Sequence, residues 1–236
     1  MNANDPNVAL IEVAAERLGD ALTRELVFVG GAVAGLLITD PAMPPIRPTQ
    51  DVDVICSALA LGDYYRLGTL MKARGFAEDQ RPGAPVCRWR IGDLAVDVMP
   101  TSSEILGFSN RWYPLALESA VPLVLPSSRS IRVVTAPVFV ATKLEAFAGR
   151  GNADYLSSHD LEDLIAVVDG RETLPAECRA SPPELKAWLA EQVALLLATP
   201  AFLEALSGHL PGDAASQGRL PGLKLKLLEI SELAAR

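Results

Sequence analysis

The 236-residue sequence is poor in the residues that most often carry chemistry: three cysteines, two histidines and 6% aromatics. Cys56, Cys87 and Cys178 are odd in number and far apart, which excludes a disulfide framework and any C-x-x-C metal site. They read as reduced thiols, in the core or on the surface. His159 and His209 are too few for a zinc site of recognisable spacing. No apolar run approaches the roughly 18 residues of a membrane span; the stretch from Val133 to Val140 is broken by Thr135 and Pro137. The opening Met1 to Glu12 has neither a basic segment nor an apolar one of the secretory kind, which predicts a soluble cytoplasmic protein without membrane partners. Internal repeats and low-complexity tracts are missing. So are a P-loop, a G-x-G-x-x-G fingerprint and a Ser/His/Asp order, which removes the commonest nucleotide-binding and hydrolase signatures.

What remains is a chain rich enough in apolar residues, 50% of the total with a mean hydropathy of +0.23, to bury a substantial core. Intrinsic disorder is thereby excluded. Lys and Arg number 21 against 29 Asp and Glu, a formal charge of -8, which argues against a general nucleic-acid coat. From Lys72 to Arg132, eight basic residues face six acidic ones, leaving the middle of the chain mildly basic.

Val8, Ile11, Ala15, Leu18 and Leu22 recur at helical spacing, with Arg17 and Arg24 off the stripe, and predict an amphipathic helix from Val8 to Leu22. Leu26 to Val29 is too short for a helix and is stopped by Gly30-Gly31 before the small apolar series from Ala32 to Ile38. That order reads as strand, glycine turn, helix. Four prolines between Thr39 and Gln50 predict a loop. A strand follows at Asp51 to Ile55, then a helix from Leu59 to Arg74. Two further strands, Val86 to Arg90 and Leu94 to Met99, are joined around Gly92-Asp93. After a strand at Ile131 to Val134, Thr135 is positioned to cap a helix with Pro137 in its first turn. Beyond it the pattern is helical. Ser157 with Asp160, and Ser181 with Glu184, match capping boxes for helices reaching Val168 and Ala198. Leu223 to Leu233 closes the sequence as an amphipathic helix. The fold class is therefore α+β, a mixed sheet followed by a helical C-terminal part.

The chemistry concentrates in Asp51-Val52-Asp53. Alternation with period two puts both carboxylates on one side of their strand, oxygen ligands suited to a hard divalent cation. Asp97 is the only other aspartate inside an otherwise apolar strand; Leu94, Val96 and Val98 share the opposite face. If the two strands pair, three carboxylates converge, and their repulsion calls for a compensating cation. An isolated D-x-D would otherwise be a solvated sheet face. Gly30-Gly31, between strand and helix, offers free backbone amides to phosphate oxygens, or else a tight turn needing positive φ.

Phe28-Val29-Gly30-Gly31-Ala32-Val33-Ala34, Arg47-Pro48-Thr49-Gln50-Asp51-Val52-Asp53 and Val96-Asp97-Val98 together resemble the nucleotidyltransferase core of the polymerase-beta superfamily. With Lys143-Leu144-x-Ala146, Arg150 and His159-Asp160-Leu161-Glu162-Asp163-Leu164 the pattern is similar to the abortive-infection (AbiEii) nucleotidyltransferase toxins of type IV toxin-antitoxin systems. It spans about Leu26 to Val168. Strands followed by helices predict a sheet core over residues 1–135, the nucleotidyltransferase core by the resemblance, and a helical domain over 136–236. The resemblance implies that Gly30 and Gly31 hold the triphosphate, with Arg47 and Thr49 beside the nucleotide. It further implies that Asp51, Asp53 and Asp97 bind magnesium, two ions in this superfamily, and that Asp97 activates the attacking hydroxyl. Lys143 matches the helix lysine that contacts nucleotide phosphates, and Asp160 the acid of the helical part. Two positions depart from the pattern: Ala32 stands near where a hydroxyl residue is common, and His159-Asp160 replaces a Lys-Asp pair, so that Asp163 competes with Asp160 for that role.

The expected function is an enzyme, a magnesium-dependent nucleotidyltransferase moving an NMP from an NTP to an acceptor hydroxyl. By resemblance it is a toxin acting on tRNA 3' ends or on a protein, with a cognate antitoxin as partner. A small-molecule transferase of the aminoglycoside type and a non-catalytic binding protein of the same fold are the alternatives.

Overall fold

A computed structural model describes residues 5–58 and 60–235. The chain packs as two units. One contains the residues up to Gly35 together with Arg47–Thr135, and the other contains Leu36–Ile46 together with the chain from Ala136 onward.

The first unit begins with helix α1 (Pro6–Glu25), capped by Asp5, whose carboxylate accepts from the Asn7 amide at 2.8 Å. The predicted stripe Val8, Ile11, Ala15, Leu18 and Leu22 is buried. The helix is broken at Gly19, where φ is +75°. There the Arg74 guanidinium donates to the carbonyls of Arg17 and Glu16, at 2.9 and 3.2 Å. Strand β1 (Val27–Val29) follows, then Gly30, a 3-10 turn (Gly31–Val33) and the short helix α2 (Ala34–Leu37), which starts in this unit. Next come β2 (Asp51–Cys56), α3 (Leu61–Ala73), β3 (Ala77–Glu78), β4 (Arg88–Ile91), β5 (Leu94–Pro100), α4 (Ser103–Leu106), α5 (Tyr113–Ser119), β6 (Val121–Val124) and β7 (Ser130–Val133). Leu59, the predicted start of the helix after β2, lies outside the described residues, and the observed helix begins at Leu61.

Among the described residues the strands form one seven-stranded sheet in the order β3-β4-β5-β2-β1-β7-β6. It is mixed: β2 runs parallel to β5 and β1 to β7, while the remaining neighbours are antiparallel. The predicted α+β class holds. Two strands escaped the sequence reading. β3 has two residues, too few for alternation, and β6 contains Pro122, which is tolerated because β6 is an edge strand.

The second unit holds α6 (Ala136–Arg150), α7 (His159–Gly170), α8 (Leu174–Ala180), α9 (Pro183–Leu197), α10 (Pro200–Ala205), α11 (Ala214–Gln217) and α12 (Leu220–Ser231). Its core is built from Leu161, Leu164, Leu185, Leu189, Leu223, Leu227 and Ile230, all essentially inaccessible. The proline-rich segment is tied into it: the amides of Thr39 and Asp40 both donate to the Gly170 carbonyl at 3.0 Å, and Arg219 bridges Asp40 and Asp169. No single helix among the described residues is long and apolar enough to cross a membrane.

Both predicted capping boxes are corrected. Helix α7 is capped by Ser158, whose hydroxyl accepts from the Leu161 amide, and Asp160 is engaged in ion pairs instead. Helix α9 starts after Pro182 with no side-chain cap, and Ser181 donates to the Glu177 carbonyl. At α7 two ion pairs take the acid that local spacing assigns to the cap, and at α9 the Glu177 carbonyl takes the serine hydroxyl.

Candidate functional site

In β2, Val52 and Val54 are fully buried on one face, so Asp51 and Asp53 project together from the other, each half-buried. β5 lies parallel with Asp97 as the direct partner of Asp53, and Val96 and Val98 buried on the reverse side. Adjacent strands are about 4.8 Å apart. The carboxylates of Asp53 and Asp97 therefore share one face as lateral neighbours, with Asp51 two residues along on that face. Asp97 is 6% exposed, low for an aspartate.

Such a row of anions needs a cation, and the structure supplies Arg88. β4 pairs antiparallel with β5 so that Arg88 is the partner of Asp97. Its guanidinium grips that carboxylate with both prongs, Nε to Oδ1 at 2.7 Å and Nη2 to Oδ2 at 2.8 Å, while Nη2 also pairs with Asp51. This two-pronged contact is the geometry in which arginine binds carboxylates most strongly. Trp89 alternates to the buried opposite face.

Gly30 closes the other side. It follows Val29, the antiparallel partner of Asp53, and has φ +71°. A Cβ placed there would lie 1.8 Å from Asp53 Oδ2. Only glycine lets the backbone come this close to the carboxylate. Gly31 is buried and opens the 3-10 turn that follows.

Arg47 and Thr49 approach the acids through the backbone. Asn7, 1% exposed, donates from its side chain to the Arg47 carbonyl at 3.0 Å and accepts from the Thr49 amide at 2.8 Å. The Thr49 hydroxyl donates to the Asp51 carbonyl at 3.0 Å. The segment entering β2 is thereby clamped to the start of α1. A nucleotide-contacting role for Arg47 and Thr49 thus remains a proposal, and a positioning role for Asn7 is the addition.

Lys143 and Asp160 meet within the helical unit. Lys143 is 8% exposed, and its Nζ pairs with Asp163 at 2.6 Å and Asp160 at 3.2 Å. Arg150 adds two hydrogen bonds to Asp160, at 2.8 and 2.9 Å. Burial pushes the Asp160 carboxyl up, but hydrogen bonding to Arg150 and the charge of Lys143 outweigh it, and the group ends below 3.8. Asp160 and Asp163, alternatives by sequence, both hold the same lysine. His159 is exposed beside them.

All three thiols are buried, and burial pushes Cys56, Cys87 and Cys178 each up to about 12. For Cys87 the anionic Asp97 and Asp53 add to this. A cavity of about 320 Å³ in the sheet unit is lined by Glu25, Cys56, Asp63 and Arg66 among others, at the end of β2 away from Asp51.

In donor type the three carboxylates suit a hard divalent cation. Arg88 is the cation paired with two of them, Asp97 and Asp51. Among the described residues, however, no group of three or more His, Cys, Asp or Glu side chains is arranged to hold a metal ion. The guanidinium stands between Asp51 and Asp97.

Arg88 was missed as a site residue, yet its signal is present. A two-residue turn at Gly92-Asp93 sets Ile91 opposite Leu94, and counting back from there puts Arg88 opposite Asp97. No protein-family model matches the chain, and no curated protein matches it.

Proposed function

We propose that the protein is a nucleotidyltransferase that moves an NMP from an NTP to an acceptor hydroxyl. The observation that carries this reading is the acid row, Asp53 beside Asp97 with Asp51 on the same face, closed by the glycine elbow at Gly30. In the reaction the acceptor oxygen forms a bond to the α-phosphorus, the bond to the pyrophosphate oxygen breaks, and the hydroxyl proton is given up to a carboxylate of the row or to water. Asp51, Asp53 and Asp97 would hold magnesium, which when bound supplies charge compensation to the phosphates and to the attacking oxygen. Gly30 sets how near the backbone comes to Asp53, and Asn7 holds the strand entrance in place. Positioning and electrostatics account for most phosphoryl-transfer catalysis, so a site with no nucleophile of its own is chemically sufficient.

A toxin acting on tRNA 3' ends or on a protein, restrained by an antitoxin, is the acceptor assignment that the family resemblance supports. The net charge of -8 favours a compact acceptor or a protein over tRNA, because phosphate contacts supply most non-specific affinity for nucleic acid. Incubation with each α-labelled NTP and magnesium, with total tRNA, the protein itself or a panel of aminoglycosides as acceptor, tests the proposal. Label should reach one acceptor class, and Asp53→Asn should lower transfer by about 10³-fold, the order lost with a key electrostatic group. Label confined to the drugs would remove the toxin role. Transfer undiminished in Asp53→Asn would remove this site.

The seating of Arg88 favours one second reading, a binding protein that keeps the fold with Asp97 and Asp51 already paired to a guanidinium. Absence of transfer to every acceptor would select it.

A further inference from the structure

We infer that Arg88 is a built-in competitor of the divalent cation, so that its seating on Asp97 and Asp51 and metal binding by those carboxylates exclude one another. The inference rests on the transferase reading of the acid row and names how that row is regulated.

Both oxygens of Asp97 are already engaged by guanidinium nitrogens, at 2.7 and 2.8 Å. A magnesium or manganese ion binds carboxylate oxygen at about 2.1 Å and requires near-octahedral room around it. That room is the volume the guanidinium occupies, and two cations cannot share it without strong mutual repulsion. Asp51 is held through one oxygen, Oδ2, by the same Nη2. Asp53 packs against Gly30. An incoming ion gains Asp51 and Asp97 only as Arg88 withdraws.

Withdrawal is physically open to Arg88. Its side chain is 20% exposed while that of Asp97 is 9% exposed, so the guanidinium lies at the solvent side of the pair and can swing outward on a long flexible stem. β4 has β3, of two residues, as its outer neighbour, and beyond it the Asp79 amide holds the Arg88 carbonyl at 2.9 Å, an anchor on the backbone that leaves the side chain its own rotamers. Seated, Arg88 offsets part of the row's charge and ties β4 to β5 and β2. Displaced, it opens Asp97 and Asp51 to the ion. It is a positioning residue, acting through Asp97 and Asp51.

Manganese binding to the whole protein, followed by the loss of the free-ion electron-spin resonance signal, decides the matter. Arg88→Gln should bind manganese at least tenfold more tightly than the native chain, and Arg88→Lys, a point charge without the planar fork, should fall between them. Metal-free Arg88→Gln should melt at a lower temperature than the native protein and gain more from added manganese. Should Arg88→Gln be unfoldable, the native protein alone remains decisive: the Arg88 Nε–H resonance, identified by its loss in Arg88→Lys, should lose its protection from solvent exchange as magnesium is added. Native protein and Arg88→Gln binding manganese with equal affinity, or a protected Nε–H at saturating magnesium, would overturn the inference and leave the transferase reading standing. No manganese binding by any of the proteins at millimolar ion would overturn both.

Discussion

Gly30 and Asp53 are packed so closely that a methyl group on the first would overlap the carboxylate of the second, the ideal Cβ lying 1.8 Å from Oδ2. The left-handed φ of +71° adds a backbone penalty for any L side chain. Gly30→Ala should therefore cost about 2–4 kcal/mol, from a strained φ and a steric clash together. It should also abolish transfer by displacing Asp53. Urea unfolding read by circular dichroism measures the first effect. Gly62→Ala is the control: nothing lies within 4 Å of its added methyl in α3, and it should be neutral or stabilising.

Asn7 joins the start of α1 to the segment before β2 through two hydrogen bonds and is almost wholly inaccessible. Asn7→Ala removes one donor and one acceptor and leaves the Arg47 carbonyl and Thr49 amide without those partners. The expected loss is about 2–3 kcal/mol. Amide hydrogen exchange should quicken at Thr49 and Asp51 more than at β7. Equal exchange along both strands would show that Asn7 does not hold this entrance.

Lys143 lies between two buried carboxylates. Lys143→Met removes the cation and keeps the carbon stem, and should destabilise the protein by about 3–5 kcal/mol. Chemical denaturation of the variant against the native chain reads this directly.

The Asp160 carboxyl titrates below its ordinary value of 3.8 in the folded chain, so the unfolded chain binds its proton first as pH falls. Its stabilisation is complete above about pH 5 and drains as pH falls through the lowered folded value. The gap in melting temperature between the native protein and Asp160→Asn should thus be widest near neutrality and close below 3.8. A gap independent of pH from 7 to about 2 would remove the ion pairs as its cause.

Cys56, Cys87 and Cys178 are buried with thiols pushed up to about 12, which leaves almost no thiolate at neutral pH. Native protein should react with a thiol reagent only on unfolding, and all three should then be titrated. Rapid labelling of any one in the folded state would contradict their burial.

Much of the sheet was legible before any coordinates. The alternation in Asp51 to Ile55 and in Leu94 to Met99 is a local property, and both became strands with their valines buried as expected. The glycine pair after Leu26 to Val29 did end a strand and begin a helical turn, because positive φ at Gly30 is a demand of the chain's own backbone. The capping boxes failed for the opposite reason. Ser157 with Asp160 fits the local spacing, but Asp160 finds Lys143 and Arg150 on α6, and two ion pairs outweigh a cap hydrogen bond.

Period-two patterning by itself puts Asp51 and Asp53 on one side of a strand, and the two-residue turn at Gly92-Asp93 already sets Arg88 against Asp97. Both follow from short-range geometry that any chain with these residues must obey. Whether β5 lies beside β2, and in which register, is a long-range pairing paid for by burial of the valines on the reverse face; no local feature encodes it. Tertiary structure alone brought Asp97 level with Asp53 and carried the guanidinium already set against Asp97 across to Asp51.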